Sequence, residues 1–282
     1  MHKYLAQIRK AFLQALADDV MNTSKATAYS AMLMMFPALL VVTTLVAQVQ
    51  EDGAALSGLR ALFEQFLPPD TLDLLQSYVL SQRTHSFDLI LSASTIGMLA
   101  GLGVMLSLME GFRRAYRLSA EDWEFWDRRL RALLLLPICL VPLTVATLLI
   151  IFGHQIELWM IDNSVHELRY IVLFFWRMIR WSISVATSIT VLSLLYHFGT
   201  RRKEHWGWVV QGAVAGTLIW FPATVAFGWY VTRIANYSRI YGPFGAGIAT
   251  LVWLYLTSFS VLLGAELNGI RYCERDRQRN VV

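Results

Sequence analysis

Charge is scarce in this chain, and clusters of chemistry-bearing residues are scarcer. Only 16% of the 282 residues are Asp, Glu, Lys or Arg, against about a quarter in an ordinary soluble domain. A water-exposed globule of this length is therefore excluded. Cysteine is limited to Cys139, inside an apolar run, and Cys273, in a basic tail. The two are expected at different depths, which excludes a disulfide framework. The six histidines are scattered, without the close pairs of a zinc site, so no metal is expected. There is no Walker-type phosphate loop, nucleotide-binding glycine pattern or nucleophile elbow, so neither a cofactor nor ATP-driven work is expected. The first twenty residues lack the continuous apolar core and small-residue cleavage site of a secretory signal, and the N-terminus is expected to be retained.

What is present is apolar. Hydrophobic residues make up 56% of the chain, arranged in long runs. The last run is the plainest: 22 residues without a charge from Phe244 to Ala265, roughly 33 Å of helix, enough to cross a bilayer. Gly242, Pro243, Gly245 and Gly247 punctuate its start, turning the chain and then letting another helix come close. Glu266 follows at the edge of the hydrocarbon, where an acid is costly unless partnered or wet, and so becomes a site candidate.

Five further spans are expected at about 28–49, 87–109, 132–152, 170–197 and 208–231. Proline interrupts three of them, at Pro37, at Pro137 and Pro142, and at Pro222, each a bend or a hinge. Glycines stand four apart at Gly97/Gly101 and Gly212/Gly216, the spacing of close helix contact. Before the first span, Tyr4, Ile8, Phe12, Leu16 and Val20 recur at steps of four, which predicts an amphipathic helix on a membrane surface or against the bundle. Residues 51–86 split at Pro68-Pro69 into two short amphipathic stretches, read as a small helical cap. The fold class is therefore all-α: one polytopic membrane bundle over 1–282, with six spans, an amphipathic segment at 1–27, the cap at 51–86 and a tail at 267–282.

Basic residues set the orientation. Seventeen Lys and Arg fall in the N-terminal segment, the 111–131 and 200–205 loops and the tail, against five in the opposite loops. The positive-inside rule then expects both termini in the cytoplasm.

The final run also resembles a known family. Tyr241, Gly242, Gly245, Trp253, Tyr255, Gly264, Ala265, Glu266, Leu267 and Asn268 are similar to the C-terminal signature of the YihY/BrkB family of bacterial inner-membrane proteins. The segments 28–42 and 108–118 look similar to it as well. The resemblance implies a bacterial inner-membrane location and tilts the function toward envelope and lipid handling. Some members carry a ribonuclease label, but a nuclease needs clustered carboxylates with metal, or histidines placed for acid–base catalysis. Neither is present, so no enzyme, no catalytic residue and no nucleic-acid partner is expected.

The candidate ligands are charges in apolar surroundings. Arg177 and Arg180 interrupt the fourth span three residues apart. Either they line a polar cavity, or the span begins near Trp181 and they snorkel to the interface. In a cavity they would suit an anionic headgroup, because guanidinium pairs with phosphate through two parallel hydrogen bonds. Glu110 and Glu266 close their spans and are expected to approach arginines such as Arg113, Arg114 or Arg271. Pro37, Pro222, Gly242, Pro243 and Gly245 are candidates for gating or packing. Two functions fit: a permease-like protein handling a lipid or anionic solute, and a non-transporting scaffold whose cap docks an envelope protein. The expected partners are membrane lipids, and the glycine faces serve self-association and internal packing equally well. A periplasmic-reporter fusion within 51–86 should be active and a fusion at the C-terminus silent. The reverse pattern would overturn the assigned orientation.

Overall fold

The structure, a computed structural model, describes residues 2–49, 86–119, 124–142, 169–201, 205–233 and 244–279. Within these, the side chains at 2–8, 42–49, 86, 87, 89, 169–173, 177, 180, 232, 244, 276, 277 and 279 are not described. All regular structure among the described residues is helical. We label the helices α1 (His2–Ala17), α2 (Val20–Val49), α3 (Ser86–Ala115), α4 (125–142), α5 (Arg169–Gly199), α6 (Trp206–Arg233) and α7 (Phe244–Arg279).

Five of these are long and apolar enough to cross a membrane: α2, α3, α5, α6 and α7. The third expected span is described only over 132–142, within α4. Its remainder, and the expected cap up to residue 85, lie outside the described residues. The spans keep large apolar side chains on their surface, among them Leu91, Leu99, Leu218 and Trp229, each more than half exposed. In water that would be a liability, whereas in hydrocarbon such side chains face a medium as apolar as themselves.

The chain divides into two compact units. The first takes Met1–Asp18, Gly111–Ile219 and Val261–Val282; the second takes Asp19–Glu110 and Trp220–Ser260. Helices α6 and α7 contribute to both.

In the second unit, small residues set the contacts. A Cβ on Gly97 would lie 3.5 Å from the Pro37 ring, and one on Gly103 would lie 3.1 Å from the Ser30 hydroxyl. Pro37 of α2 thus stands where α3 offers a glycine. Trp220 Nε1 donates to Thr257 Oγ1 at 3.1 Å, tying α6 to α7. Hydroxyls inside α2 return their protons to the previous turn: Ser24 to the Val20 carbonyl at 2.7 Å and Thr27 to the Thr23 carbonyl at 2.8 Å. That self-satisfaction lets polar residues sit in a buried helix.

In the first unit, aromatic residues fill the centre. Phe112 of α3 meets Tyr196 of α5 edge to face at 5.3 Å between ring centroids, and both are fully buried. Gly199 lies against the Phe112 ring, where a Cβ would approach to 3.0 Å. α7 continues as helix to Arg279, whereas a tail was expected from 267. Every residue from Leu262 to Ile270 is buried, so the apolar pattern fades before the packing does.

The amphipathic reading of α1 needs one correction. Its buried face is Ala11 and Ala15, with Ala11 in a cluster with Leu267 and Ile270 of α7. Phe12, Leu13 and Leu16 are exposed. Alanine lets the two helices approach closely; of the row that the four-residue steps picked out, Phe12 and Leu16 turn away from the bundle, Val20 is buried, and the side chains of Tyr4 and Ile8 lie outside the described residues.

Among the described glycines, the tightest contact is at Gly269, where an added Cβ would fall on the carbonyl of Ala115 at the end of α3. Gly269→Ala should therefore destabilise the protein by about 1–3 kcal/mol through overpacking, read as a lowered melting temperature in detergent. Gly228→Ala, whose Cβ meets nothing within 4 Å, should melt like the parent. Equal melting of the two variants would show that the α3–α7 contact is not a constraint.

Candidate functional site

α7 is the helix on which polar chemistry becomes buried. Its neighbour α6 offers Gly212 and Gly216 one turn apart, and α7 answers with Gly264. A Cβ on Gly264 would lie 2.8 Å from the Gly212 carbonyl and 3.0 Å from the Gly216 Cα. The glycine spacing of α6 therefore serves contact with α7. Such close backbones leave room for polar side chains only where they make specific bonds. Asn268 lies against Gly212, and its Nδ2 donates to the Val209 carbonyl at 3.1 Å. Tyr196 of α5 donates its hydroxyl to the Val261 carbonyl at 2.6 Å. Three helices are thus joined by two side-chain bonds to backbone.

Glu266 lies two residues before Asn268 on the same helix and is only 1% exposed. Its Oε1 has no hydrogen-bond partner among the described residues. The charges that act on it are Asp18, at the end of α1, and Arg117, just past α3. The arginines expected beside it make other bonds. Arg113 Nη1 donates to the Leu118 carbonyl at 2.9 Å, Arg114 Nη1 reaches the Asp18 carbonyl at 3.5 Å, and Arg271 Nη1 donates to Gln211 Oε1 at 2.8 Å.

Arg117 owes its position to an unusual helix end. The Leu118 amide donates to the Arg113 carbonyl and the Arg117 amide to the Arg114 carbonyl, both at 2.9 Å. This is the Schellman closure, with Arg117 in the left-handed position at φ 53°. Glycine normally stands there, because a side chain costs about 1–2 kcal/mol in that conformation. An arginine held at that cost is a functional candidate, and nothing in the linear pattern of 113–118 advertised it.

A pocket of about 110 Å³ opens between α1, the end of α3 and α7, lined in part by Lys10, Gln14, Arg117, Gly269 and Glu274. Lys10 Nζ and Glu274 Oε1 pair at 2.9 Å, each about half exposed.

The other candidates are distributed. Helix α5 runs unbroken through positions 177 and 180, but the side chains of Arg177 and Arg180 lie outside the described residues. Gly242 and Pro243 also lie outside them. Glu110 is half-buried and falls in the second unit, whereas Glu266 falls in the first. Pro37 packs on Gly97, Gly245 is buried, and Pro222 is exposed in mid-α6. Among the described residues, no group of three or more His, Cys, Asp or Glu could hold a metal ion.

The comparisons with known proteins agree with this architecture. A family model described as virulence factor BrkB matches residues 11–281. The ribonuclease-like protein YfkH of Bacillus subtilis is 27% identical over 264 residues, 93% of this chain and 94% of that one. A UPF0761 membrane protein of Nitrosospira multiformis is 32% identical over 165 residues, 58% of this chain and 36% of its own length. Another, of Mannheimia succiniciproducens, is 22% identical over 254 residues, 90% and 85% of the two chains. No solved structure matches.

Because Glu266 Oε1 is buried without a partner, Glu266→Gln should leave the melting temperature unchanged or raise it. Tyr196→Phe should lower stability by about 0.5–1.5 kcal/mol through loss of one hydrogen bond. A marked loss on Glu266→Gln would assign the carboxylate a structural partner and remove it from the site.

Proposed function

The chain belongs to the BrkB family of membrane proteins, and from that premise we propose that it is a permease-like protein handling a lipid or anionic amphiphile in the bacterial inner membrane. The observation that carries the reading is Glu266, a carboxyl group inside the span Gly245–Arg275, 1% exposed and without a hydrogen bond to Oε1. A scaffold has no use for such a group: apolar packing of equal volume would be at least as stable. Intramembrane ionisable residues are retained where they take part in a substrate or ion pathway. Pro37 and Pro222 lie inside α2 and α6, where proline removes a backbone donor, a feature also found beside cavities in transporters. In this reading Arg177 and Arg180 engage the anionic group within the fourth span, and no covalent chemistry is performed on it.

The competing scaffold reading draws on the density of the first unit, where Leu262 to Ile270 are buried without interruption. In that case the 51–86 segment would bind an envelope protein, and Glu266 would have no role in flux.

Reconstitution in liposomes decides between them. The wild-type protein should speed exchange of a fluorescent anionic phospholipid between leaflets above protein-free vesicles. Glu266→Gln should reduce that exchange at least about tenfold with unchanged folding, as expected when a single essential group is removed. Native mass spectrometry should show retained anionic lipid lost in the Arg177→Gln/Arg180→Gln double variant. Absence of exchange by wild-type protein for every anionic phospholipid offered would sink the permease reading in favour of the scaffold.

A further inference from the structure

The pocket between α1, α3 and α7 places two cations and one carboxylate around a space of about 110 Å³. At roughly 30 Å³ per water, it accepts a few waters or one compact polyatomic anion. Arg117 and Lys10 contribute the positive charges. Arg117 is exposed, and among the described residues its guanidinium has no hydrogen-bond partner. Lys10 is held by Glu274 at 2.9 Å. The backbone fixes the spacing: Arg117 projects from a left-handed helix end, and Gly269 allows α7 to lie against Ala115 beside it.

We propose that Lys10 and Arg117 form a phosphate-binding site whose latch is the Lys10–Glu274 ion pair. Guanidinium supplies two parallel donors to a phosphate, ammonium supplies a point charge, and an incoming phosphate competes with the Glu274 carboxylate for Lys10. An adjoining open groove of about 390 Å³, lined by Arg9, Lys10, Leu13, Gln14 and Ala17, shares Lys10 with the pocket. Phe12, Leu13 and Leu16 are exposed on the same helix, at 46%, 54% and 47%. A groove whose apolar lining is Leu13 and Ala17, adjoining a basic pocket, suits a phosphate carried by an acyl-chain amphiphile, with the chain along α1 and the headgroup at Arg117. The site rests on the proposed handling of an anionic amphiphile for its role, and it lies on residues other than Glu266, Arg177 and Arg180.

The sign of the latch gives the test its direction. The protein is placed in phosphatidylcholine nanodiscs doped with phosphatidic acid, and retained lipid is counted by native mass spectrometry. The wild type should retain phosphatidic acid over phosphatidylcholine. Arg117→Gln should lower that retention about tenfold, the scale of one charged hydrogen bond. Glu274→Gln, which frees Lys10 and removes a negative charge, should raise it. If Arg117→Gln does not fold, Lys10→Gln replaces it with the same expected loss.

In undoped discs, a melting temperature raised by inorganic phosphate in the wild type and not in Arg117→Gln would support the site with free phosphate as its source. Equal retention by wild type and both variants, with no effect of inorganic phosphate, would overturn the site. So would a fall in retention on Glu274→Gln, because the ion pair would then be a strut and not a latch. Retention without lipid exchange would leave the site and remove the permease reading; exchange without retention would do the reverse.

Discussion

The structure depends on how closely α7 can approach its neighbours. Between helices in a bilayer the hydrophobic effect supplies little, since lipid tails are as apolar as leucine, and association falls to van der Waals contact and buried hydrogen bonds. Both need short distances. Gly264 against Gly212 and Gly216, and Gly269 against Ala115, provide them. Once α7 lies that close, Leu262 to Ile270 are covered on all sides, and each polar side chain there needs a partner within reach. Asn268 Nδ2 finds the Val209 carbonyl while its Oδ1 has no partner among the described residues, and Tyr196 of α5 finds the Val261 carbonyl. Glu266 is the charged residue of this segment, and its Oε1 finds none. The same contact that gives the first unit its stability therefore isolates the carboxyl group that the proposed function needs.

Small residues explain α1 in the same way. A four-residue step through Phe12 and Leu16 marks the most hydrophobic face, and in a soluble protein that face would go inside. Here the close face is Ala11 and Ala15. On the packed face proximity selects small side chains, and the bulky Phe12 and Leu16 are left facing outward. The hydrophobic stripe of α1 is thus a poor guide to which side is packed.

This sets what could be read from the chain. Spans were legible because their length and lack of charge are bilayer requirements independent of packing. Their α-helical form followed, because hydrocarbon leaves no other partner for the backbone of an isolated segment. Glu266 was legible as an acid at the edge of an apolar run. The Gly212/Gly216 contact was legible as a spacing but not as a partner, since the spacing does not say which helix answers it. Asn268 stood in the family signature without a stated role, because its bond to Val209 joins positions 59 residues apart. Arg117 was counted only as one charge of a basic loop. What distinguishes it is a backbone dihedral, and a sequence records that only when glycine occupies the site.

Arg117 also links the two features of the first unit. Replacing it by glycine would relieve a left-handed side chain but would remove the positive charge that acts on Glu266. The strain is offset only if the charge at this position matters more than the backbone. In the proposed site a phosphate at Arg117 and the carboxylate of Glu266 would draw on the same cation. That coupling is reciprocal by thermodynamic necessity: the state of Glu266 affects the hold on the phosphate as much as the phosphate affects Glu266. The proposed pocket beside the α3 terminus and the carboxyl group within α7 therefore share Arg117 as a nearby cation.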